Sequence, residues 1–498
     1  MDPKINTKPA YRPSTERTPL LRTEGGDGHA INSDIQKPQT FPSVLATFIA
    51  ALGALSFGYA LGFSSPATLA LTVANGSDPV TSGPNMKLNK ATLAWFGSFI
   101  NIGAMVGGLL AGFLCDYVGR KLGLMICALP FCGGWALLAY AESVALLFAG
   151  RISVGLGVGM VSLMVPVYIA EVVSSDMRGT LGAVNQLSIT IGVLVAYALG
   201  TILPYKWMAI VGIGLSAMHA FGMLFLPETP RWYLGRDMRR EAKDSLLWLR
   251  GANAPIDDEC CSIEQALESQ ETMSFKEFLK PGLLRPLMIS LIMMVLQQWS
   301  GVNAVIFYAG TILETAGFSN ANLASISIAG VQVVFTLIAT LLMDRMGRRV
   351  LLIIAGSGML VGCVAMGVYY EITSDHDGNP KGNLRNTFSP LAITAMLVYI
   401  AKFSLGVGAI PWLIMSEIFP NRARSAASGI ATFTNWLNSF IVTLTFHHMQ
   451  VAFGLDVVFW IYGGVCGILV VFVLFLVPET KGRSLEEIEE LFEKPSIN

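Results

Sequence analysis

Charged residues are what this sequence has least of. They make up 13% of its 498 residues, whereas soluble globular chains carry about 25%. No charge lies between Lys37 and Asp78, or between Arg178 and Lys206. The net charge of −1 gives no field that would attract nucleic acid. The composition therefore argues against a soluble protein and against a nucleic-acid partner.

Sequence signals for catalysis and metal binding are also missing. The chain contains neither the phosphate-binding pattern G-x-x-x-x-G-K-[ST] nor the nucleophile pattern G-x-S-x-G. His447 and His448 have no further ligand at a useful spacing, and no two of the seven cysteines have C-x-x-C spacing. We therefore expect no enzyme, no metal site, no cofactor and no disulfide framework.

Long apolar runs are what the sequence has in abundance, since 53% of its residues are hydrophobic. A helix needs about 20 apolar residues to cross a bilayer. The sequence therefore predicts an all-α membrane protein with twelve transmembrane helices, which we call spans 1 to 12. Their predicted ranges are 44–70, 91–114, 122–140, 144–169, 180–203, 207–226, 286–310, 322–343, 350–371, 391–415, 426–447 and 456–477.

The positive residues orient these spans. An even number of spans puts both termini on one side, which holds 26 of the 33 Lys and Arg residues, whereas the opposite loops hold 5. Cytoplasmic loops carry this excess, so we expect cytoplasmic termini. Within the loop after span 6 we expect helices over Arg239–Leu249 and Ile263–Glu271. The predicted domains are a disordered cytoplasmic tail over 1–40, a six-helix bundle over 41–226, a cytoplasmic helical loop over 227–282, a second bundle over 283–477 and a cytoplasmic tail over 478–498.

Three motifs occur twice, once in each predicted bundle. Asp116-Tyr-Val-Gly-Arg-Lys121 recurs as Asp344-Arg-Met-Gly-Arg-Arg349, and Pro227-Glu-Thr-Pro-Arg231 recurs as Pro478-Glu-Thr-Lys-Gly482. The third motif is Pro166, Glu171 and Arg178, which recurs as Pro411, Glu417 and Arg422 or Arg424. The pattern indicates two six-helix pseudo-repeats. In such proteins the substrate binds near the midplane between the halves, and rocking of the halves gives alternating access.

The repeated motifs bring acidic and basic residues to helix ends on the predicted cytoplasmic side. We interpret them as a gate whose ion pairs form when that side is closed and break when it opens. The alternative is that they are ordinary loop charges, although the positive-inside preference does not require acidic residues. The predicted gating residues are Asp116, Arg120, Glu171, Arg178, Asp344, Arg348, Arg349, Glu417 and Arg424.

At these motifs a family becomes recognisable. D-x-x-G-R-K, D-R-x-G-R-R, P-E-T-P-R and P-E-T-K-G resemble the sugar porter branch of the major facilitator superfamily, and the resemblance covers about residues 41–490. The segments 55–66 and 411–420 resemble the type 8 subgroup of facilitated glucose transporters, with insect-type trehalose transporters as close relatives. The resemblance implies the major facilitator fold and transport of a hexose across a lipid bilayer.

Amide side chains inside the spans are the candidates for sugar binding. A polar group in a span is costly and tends to face the bundle interior, and an amide both donates and accepts, as sugar hydroxyls require. For a single amide, the alternative is a hydrogen bond between helices. The resemblance implies sugar contacts at Gln186, Gln297, Gln298, Asn303, Gln332, Trp412 and Asn435. It also implies that Phe307 and Tyr308 form an outer gate. The alternative is that these two aromatic residues only pack in the core.

Span 10 departs from the family pattern at two positions. The usual G-P-x-P-W reads Gly408-Ala-Ile-Pro-Trp412 here, so one helix-breaking proline is absent and we expect a milder bend. Lys402 stands where the family has an uncharged or acidic residue. Its ammonium group either snorkels toward an interface or pairs with an anionic group.

One position in span 1 bears on proton coupling. Proton-coupled relatives carry an aspartate after Phe-Gly-Tyr, where this chain has Ala60, and that aspartate can pair with an arginine that corresponds to Arg151. An arginine keeps its proton near neutral pH, so Arg151 cannot relay protons alone. This favours uniport of a hexose, with glucose as the first candidate substrate. The alternatives are a proton-coupled sugar symporter, a trehalose transporter and a non-transporting sugar sensor of the same fold.

Two short patterns bear on location. Glu16, Leu20 and Leu21 match the acidic dileucine form [DE]-x-x-x-L-[LI] that clathrin adaptors recognise, as in the type 8 subgroup. Asn75 begins an N-x-[ST] glycosylation sequon in the first predicted outer loop. We therefore expect a glycosylated protein of the endosomal or lysosomal membrane, the plasma membrane, or both.

Overall fold

The computed structural model describes residues 40–72, 88–174, 176–268, 280–318, 321–374, 382–419, 421–481, 487–488 and 492. Almost all of these residues are helical, and the predicted twelve-span fold is confirmed. The predicted tail over 1–40 lies outside the described residues, apart from Thr40.

The first half contains spans 1 to 6, whose bounds lie within a few residues of the predicted ranges. Two of these spans are divided, span 1 at Phe63 and span 3 at Cys127. In order, the helices are Phe41–Gly62 with Ser64–Thr72, Lys90–Tyr117, Arg120–Ile126 with Ala128–Ala139, Val144–Val172, Arg178–Leu199 and Tyr205–Leu224.

The second half contains spans 7 to 12. Spans 11 and 12 follow each other directly within Asn421–Leu476. A kink at Gly454, where φ is 88°, separates the two helices. The sequence predicts a milder bend in span 10. The span is nevertheless interrupted, because a π-helical segment, Phe403–Val407, precedes its last helix. The other helices are Pro281–Trp299, Val302–Phe307 and Ala309–Thr315 of span 7, Ala321–Met346, Arg348–Thr373, and Gly382–Lys402 with Ile410–Ile418 of span 10.

Small residues let spans 2 and 4 pack with their backbones in contact. A Cβ atom on Gly155 would lie 2.1 Å from the carbonyl O of Ile100, and one on Gly159 would lie 2.1 Å from that of Ala104. Glycines at such contacts allow close approach of helices in membranes. Gly155 and Gly159 of span 4 therefore serve helix packing.

Three short helices follow span 6: Pro230–Leu234, Arg239–Arg250 and Ile256–Glu268. The second was predicted correctly, but the third begins at Ile256, seven residues before the predicted Ile263. Pro255 and the acidic first turn, which begins with Asp257, are helix-start signals that the prediction missed. Leu234, Ala242, Leu246 and Cys260 form a small apolar cluster of this segment.

Arg250 attaches these helices to the membrane part. Its Nη1 donates to Ser43 Oγ of span 1 at 2.9 Å and to the Val172 carbonyl of span 4 at 2.7 Å. Its Nη2 pairs with Glu259 at 3.0 Å. The guanidinium group is buried, so these bonds fix the segment against two spans of the first half.

Candidate substrate-binding site

Span 7 is broken near its middle, and the break positions its three amide residues. Helix Pro281–Trp299 is followed by Ser300 as its C-cap, and helix Val302–Phe307 starts after Gly301. Gly301 has a φ of 93°, which favours glycine, and a Cβ there would lie 2.3 Å from the Tyr462 ring. Gln297 and Gln298 therefore lie on the last turn of one helix and Asn303 on the first turn of the next.

These amides join Asn435 of span 11 in a chain of hydrogen bonds. Gln298 Nε2 donates to Asn435 Oδ1 at 2.9 Å, and Asn435 Nδ2 donates to Gln297 Oε1 at 2.8 Å. Asn303 Nδ2 donates to Gln298 Oε1 at 2.8 Å. All four side chains are buried. Because each amide can make four hydrogen bonds, this amide network keeps unused donors and acceptors for a ligand.

Span 10 contributes backbone to the amide network. Gln297 Nε2 donates to the carbonyl O of Val407 at 2.7 Å and to that of Gly408 at 3.2 Å. The residue four positions after Val407 is Pro411, which has no N–H to offer that carbonyl. The remaining proline of the span 10 motif thus leaves an acceptor that Gln297 satisfies.

The other predicted sugar contacts lie outside this hydrogen-bonded group. Gln332 of span 8 is buried, whereas Gln186 of span 5 and Trp412 of span 10 are half-buried. Among the described residues, no hydrogen bond joins any of these three side chains to the amide network. Trp412 directly follows the proline that frees the Val407 carbonyl. Hydrogen bonds therefore join four of the seven predicted residues.

Three polar residues that sequence reasoning missed extend the network into the first half. Asn303 Nδ2 also donates to Ser439 Oγ of span 11 at 2.7 Å, and Ser439 Oγ donates to Asn101 Oδ1 of span 2 at 3.0 Å. Asn101 Nδ2 in turn donates to Thr443 Oγ1 at 3.0 Å. Asn101 is an amide inside an apolar run, so the rule that selected the other amides would have found it.

Described hydrogen bonds and ring contacts between the halves lie at mid-depth or toward the predicted outer end. Tyr197 Oη donates to the Ile306 carbonyl at 2.6 Å, and the Gly310 backbone N–H donates to Ser65 Oγ at 3.0 Å. At mid-depth, the Phe57 and Trp436 rings lie 5.8 Å apart. The structure is therefore closed at the predicted outer end.

The two aromatic residues predicted as an outer gate lie in this closed region. Phe307 and Tyr308 are buried. The Tyr308 ring stacks on Phe446 of span 11, with centroids 5.1 Å apart. A Cβ on Gly97 of span 2 would lie 3.1 Å from Tyr308 Oη, so this side chain reaches the first half.

At the predicted cytoplasmic end of the first half, Arg120 and Glu171 form an ion pair. Their Nε and Oε2 atoms are 2.9 Å apart, and Arg120 Nη2 donates to Oε1 at 3.0 Å. Thr229 Oγ1 donates to the same carboxylate at 2.7 Å. Glu228 accepts from the backbone N–H groups of Arg120 at 3.1 Å and of Lys121 at 2.9 Å. The P-E-T motif thus caps span 3 and supports the ion pair.

The second half repeats this geometry. Arg348 Nη2 lies 3.1 Å from Glu417 Oε1, and Thr480 Oγ1 donates to Glu417 Oε2 at 2.5 Å. Glu479 accepts from the backbone N–H groups of Arg348 at 3.0 Å and of Arg349 at 3.1 Å. Each ion pair joins two helix ends of its own half.

The fold shifts the pKa values of the two capping glutamates, Glu228 and Glu479, in opposite directions. Burial raises the pKa of Glu228, although the N–H groups of Thr229, Lys121 and Arg120 act in the opposite direction. At Glu479 burial also acts to raise the pKa, but the N–H donors around it prevail and lower it. The same fold motif therefore destabilises one ionised carboxylate and stabilises the other.

The remaining predicted gating residues have fewer described contacts. The Asp116 carbonyl accepts from Arg236 Nη2 at 2.9 Å, and Arg349 donates from its guanidinium to the Leu474 carbonyl. Arg178 is exposed at the start of span 5. The side chains of Asp344 and Arg424 lie outside the described part of the chain, as do the residues of the sorting signal and the sequon, namely Glu16, Leu20, Leu21 and Asn75.

Arg151 is fully buried and bonded to neutral groups. Its Nε donates to the Phe96 carbonyl at 3.1 Å, its Nη1 to the Ala60 carbonyl at 3.4 Å and its Nη2 to Ser64 Oγ at 2.5 Å. The guanidinium also lies over the Phe96 ring, 4.9 Å from its centroid. No carboxylate among the described residues forms an ion pair with it.

Known proteins resemble this chain along nearly its whole length. Mouse solute carrier family 2, facilitated glucose transporter member 8, is 38% identical over 99% of both chains. The facilitated trehalose transporter Tret1 of Bombyx mori is 38% identical over 97% of this chain and 94% of its own. A solved structure of the proton:xylose symporter XylE, bound to 6-bromo-6-deoxy-D-glucose, superposes with a TM-score of 0.73 at 27% identity, covering 91% of this chain and all of that one. The model of the family described as Sugar (and other) transporter matches residues 46–492, and the chain belongs to that family.

Proposed function

We propose that this multi-pass sugar transporter carries a hexose by uniport, without coupling to protons, and that D-glucose is the first candidate substrate. The observation that carries the proposal is the amide network at the break in span 7. Its buried donors and acceptors match a neutral ligand dense in hydroxyl groups. A relative at 38% identity is named a facilitated glucose transporter, which supports this substrate class.

The site we propose lies between the two halves, near mid-depth. Gln297, Gln298 and Asn303 are its central residues, and Asn435 completes their hydrogen bonds. The further proposed contacts are Gln186, Gln332 and Trp412. Phe307 and Tyr308 would close the site from the outer side, since they lie in the region where the halves meet.

Alternating access, in this proposal, opens and closes the two ends in turn. The ion-pair clusters around Arg120 with Glu171 and around Arg348 with Glu417 hold helix ends together within each half. The outer end is closed here while both pairs are formed, so in this proposal the pairs keep each half rigid and do not break when the opposite end opens, unlike the interpretation from the sequence. The gating role of Asp116, Arg178, Asp344, Arg349 and Arg424 remains part of this proposal.

Uniport is supported by the surroundings of Arg151. A group that couples transport to protons must change its charge during the cycle. The position that carries an aspartate in proton-coupled relatives is Ala60, and Arg151 donates to its backbone carbonyl. Proton coupling is still worth testing, because a structural neighbour is titled a proton:xylose symporter. Trehalose is the second candidate substrate, because a relative at 38% identity is named a facilitated trehalose transporter.

We further propose that both termini and the segment 227–282 are cytoplasmic. The excess of Lys and Arg on that side supports this orientation. The dileucine pattern at Leu20 and Leu21 would bind a clathrin adaptor and direct the protein to endosomal or lysosomal membranes. Asn75 would then face the lumen and carry a glycan.

The decisive experiment is transport by the purified protein in proteoliposomes. Uptake and counterflow of D-glucose, D-fructose and trehalose are measured with and without an inward proton gradient, and a protonophore provides the matched control. We expect D-glucose to equilibrate equally fast under all three conditions. Accumulation above equilibrium that the protonophore abolishes would refute uniport. A preference for trehalose would refute the hexose assignment, and the absence of counterflow for every sugar would favour a sensor.

A further inference from the structure

Among the residues that the structure describes, Asn101 is the one amide of the first half that is connected to the amide network, through Ser439. It lies on span 2 and is fully buried. Its Oδ1 accepts from Ser439 at 3.0 Å and its Nδ2 donates to Thr443 at 3.0 Å, so both bonds cross to span 11 of the second half. The hydrogen bonds of this buried amide cross between the halves, so they break when the halves separate.

The directions of these bonds follow from one backbone contact. Thr443 Oγ1 donates its hydrogen to the Ser439 carbonyl at 2.8 Å, so toward Asn101 it can only accept. Asn101 must therefore turn its NH₂ to Thr443 and its Oδ1 to Ser439. The Ser439 hydroxyl then gives its hydrogen to Asn101 and offers a lone pair to Asn303.

The amide of Asn303 is fixed at the end of this chain. Its Nδ2 donates to Ser439 Oγ at 2.7 Å and to Gln298 Oε1 at 2.8 Å, which uses both of its hydrogens. Within the described part of the chain no hydrogen bond reaches Asn303 Oδ1. This oxygen is the acceptor that the arrangement leaves for a hydroxyl group of a sugar.

We propose that Asn101 is a positioning residue of the sugar site, which sets the orientation of the Asn303 amide through Ser439. It does so in the state where the halves meet at the outer end, because its bonds cross between them. When the halves separate there, Ser439 loses its acceptor and its hydroxyl can turn, so the orientation of the Asn303 amide is then fixed only by its bond to Gln298. The inference rests on the proposed function, since it assumes that the sugar contacts Asn303.

The test compares Asn101→Leu with a matched control in proteoliposomes. Asn438→Leu is the control, because Asn438 is also a buried amide with two hydrogen bonds, to Trp299 and Thr434, and both partners lie in its own half. Half-saturation and maximal rates are measured for D-glucose and for a set of mono-deoxy-D-glucoses. We expect Asn101→Leu to raise the half-saturation concentration for D-glucose about 3- to 10-fold, the effect of one hydrogen bond. Asn438→Leu should change it less than about 2-fold, because neither of its hydrogen bonds crosses between the halves.

The deoxy sugars separate positioning from a general loss of structure. The wild-type protein should discriminate most against the analogue that lacks the hydroxyl bound to Asn303, and Asn101→Leu should reduce that discrimination. Thr443→Val, which removes the acceptor that orients Asn101, should shift affinity in the same direction even if Asn101→Leu fails to fold. Thr443→Ser keeps the hydroxyl and should shift it less.

Gln298→Leu, included in the same series, separates failure of the inference from failure of the site. If Gln298→Leu weakens D-glucose binding while Asn101→Leu and Thr443→Val leave affinity and discrimination as in the wild type, the positioning role is refuted and the site stands. Equal changes in Asn101→Leu and Asn438→Leu refute it as well. If Gln298→Leu itself binds normally, the proposed site is wrong, and the inference falls with it.

Discussion

Gln298→Leu tests most directly where the sugar binds. Leucine keeps a similar volume and removes a side chain that can make four hydrogen bonds. Gln298 uses one donor toward Asn435 and one acceptor from Asn303, which leaves one N–H and one lone pair for a ligand. Loss of up to two bonds to the sugar costs about 1–3 kcal/mol, which corresponds to a roughly 5- to 150-fold loss of affinity.

Counterflow in proteoliposomes and direct sugar binding in detergent measure this loss. Membrane insertion should survive, because leucine suits a span better than glutamine does. Arg349→Ala is the contrasting variant. Arg349 lies beside the Arg348–Glu417 ion pair, and its backbone N–H donates to Glu479 at 3.1 Å. It should change turnover and the balance between inward-facing and outward-facing states more than sugar affinity.

Two results would refute this reasoning. Equal losses of affinity in Gln298→Leu and Arg349→Ala would show that the amide has no special relation to the ligand. An unchanged affinity in Gln298→Leu would place the sugar away from span 7. Expression level and thermal unfolding of both variants are measured in parallel, so that misfolding is not mistaken for lost binding.

Three further changes have defined outcomes. Gly301→Ala should lower the free energy of unfolding by about 2 kcal/mol or more, because it adds left-handed strain and overlaps a neighbouring ring; an unchanged melting temperature would contradict this. The pKa of Glu479 is lowered in the folded state, so as the pH falls through its titration the wild type should lose stability relative to Glu479→Gln. The pKa of Glu228 is raised, so over its titration the wild type should gain stability relative to Glu228→Gln as the pH falls. Melting curves between about pH 3 and 7 would oppose this if both differences had the same sign. Leu20→Ala with Leu21→Ala should move the protein from internal vesicles to the plasma membrane, and an unchanged distribution in fluorescence microscopy would discard the sorting signal.

The spans could be predicted closely because the bilayer fixes their length. Apolar runs of about 20 residues have few alternatives, and the observed helices begin and end near the predicted positions. The breaks inside spans are different, since they depend on tertiary contacts. The break in span 7 needs Gly301 to face the Tyr462 ring, and no local pattern reveals that ring. The helix at Ile256 was placed too late because its acidic first turn resembles a loop in a hydropathy profile.

The candidate site was predictable in its residue types but not in its connections. An amide within an apolar run stands out, which explains why Gln297, Gln298 and Asn303 were found. Ser439 and Thr443 carry no such signal, because a hydroxyl in a helix can bond the carbonyl four residues before it, as Thr443 also does here. The direction of each hydrogen bond likewise depends on side chains from three spans meeting at one depth.

The distribution of polar contacts indicates how the halves can rock. Within each half, a half-buried ion pair and a capping glutamate hold the helix ends together, so each half can move as a unit. Between the halves, the described residues form four hydrogen bonds, and each is worth about 0.5–1.5 kcal/mol. Opening the outer end therefore costs about 2–6 kcal/mol in these bonds. A sugar that binds only one of the two states shifts the balance by about 2.7 kcal/mol when its concentration is 100 times its Kd. The two quantities are of similar size, so a sugar that binds one state better than the other can shift the balance between them without a proton gradient.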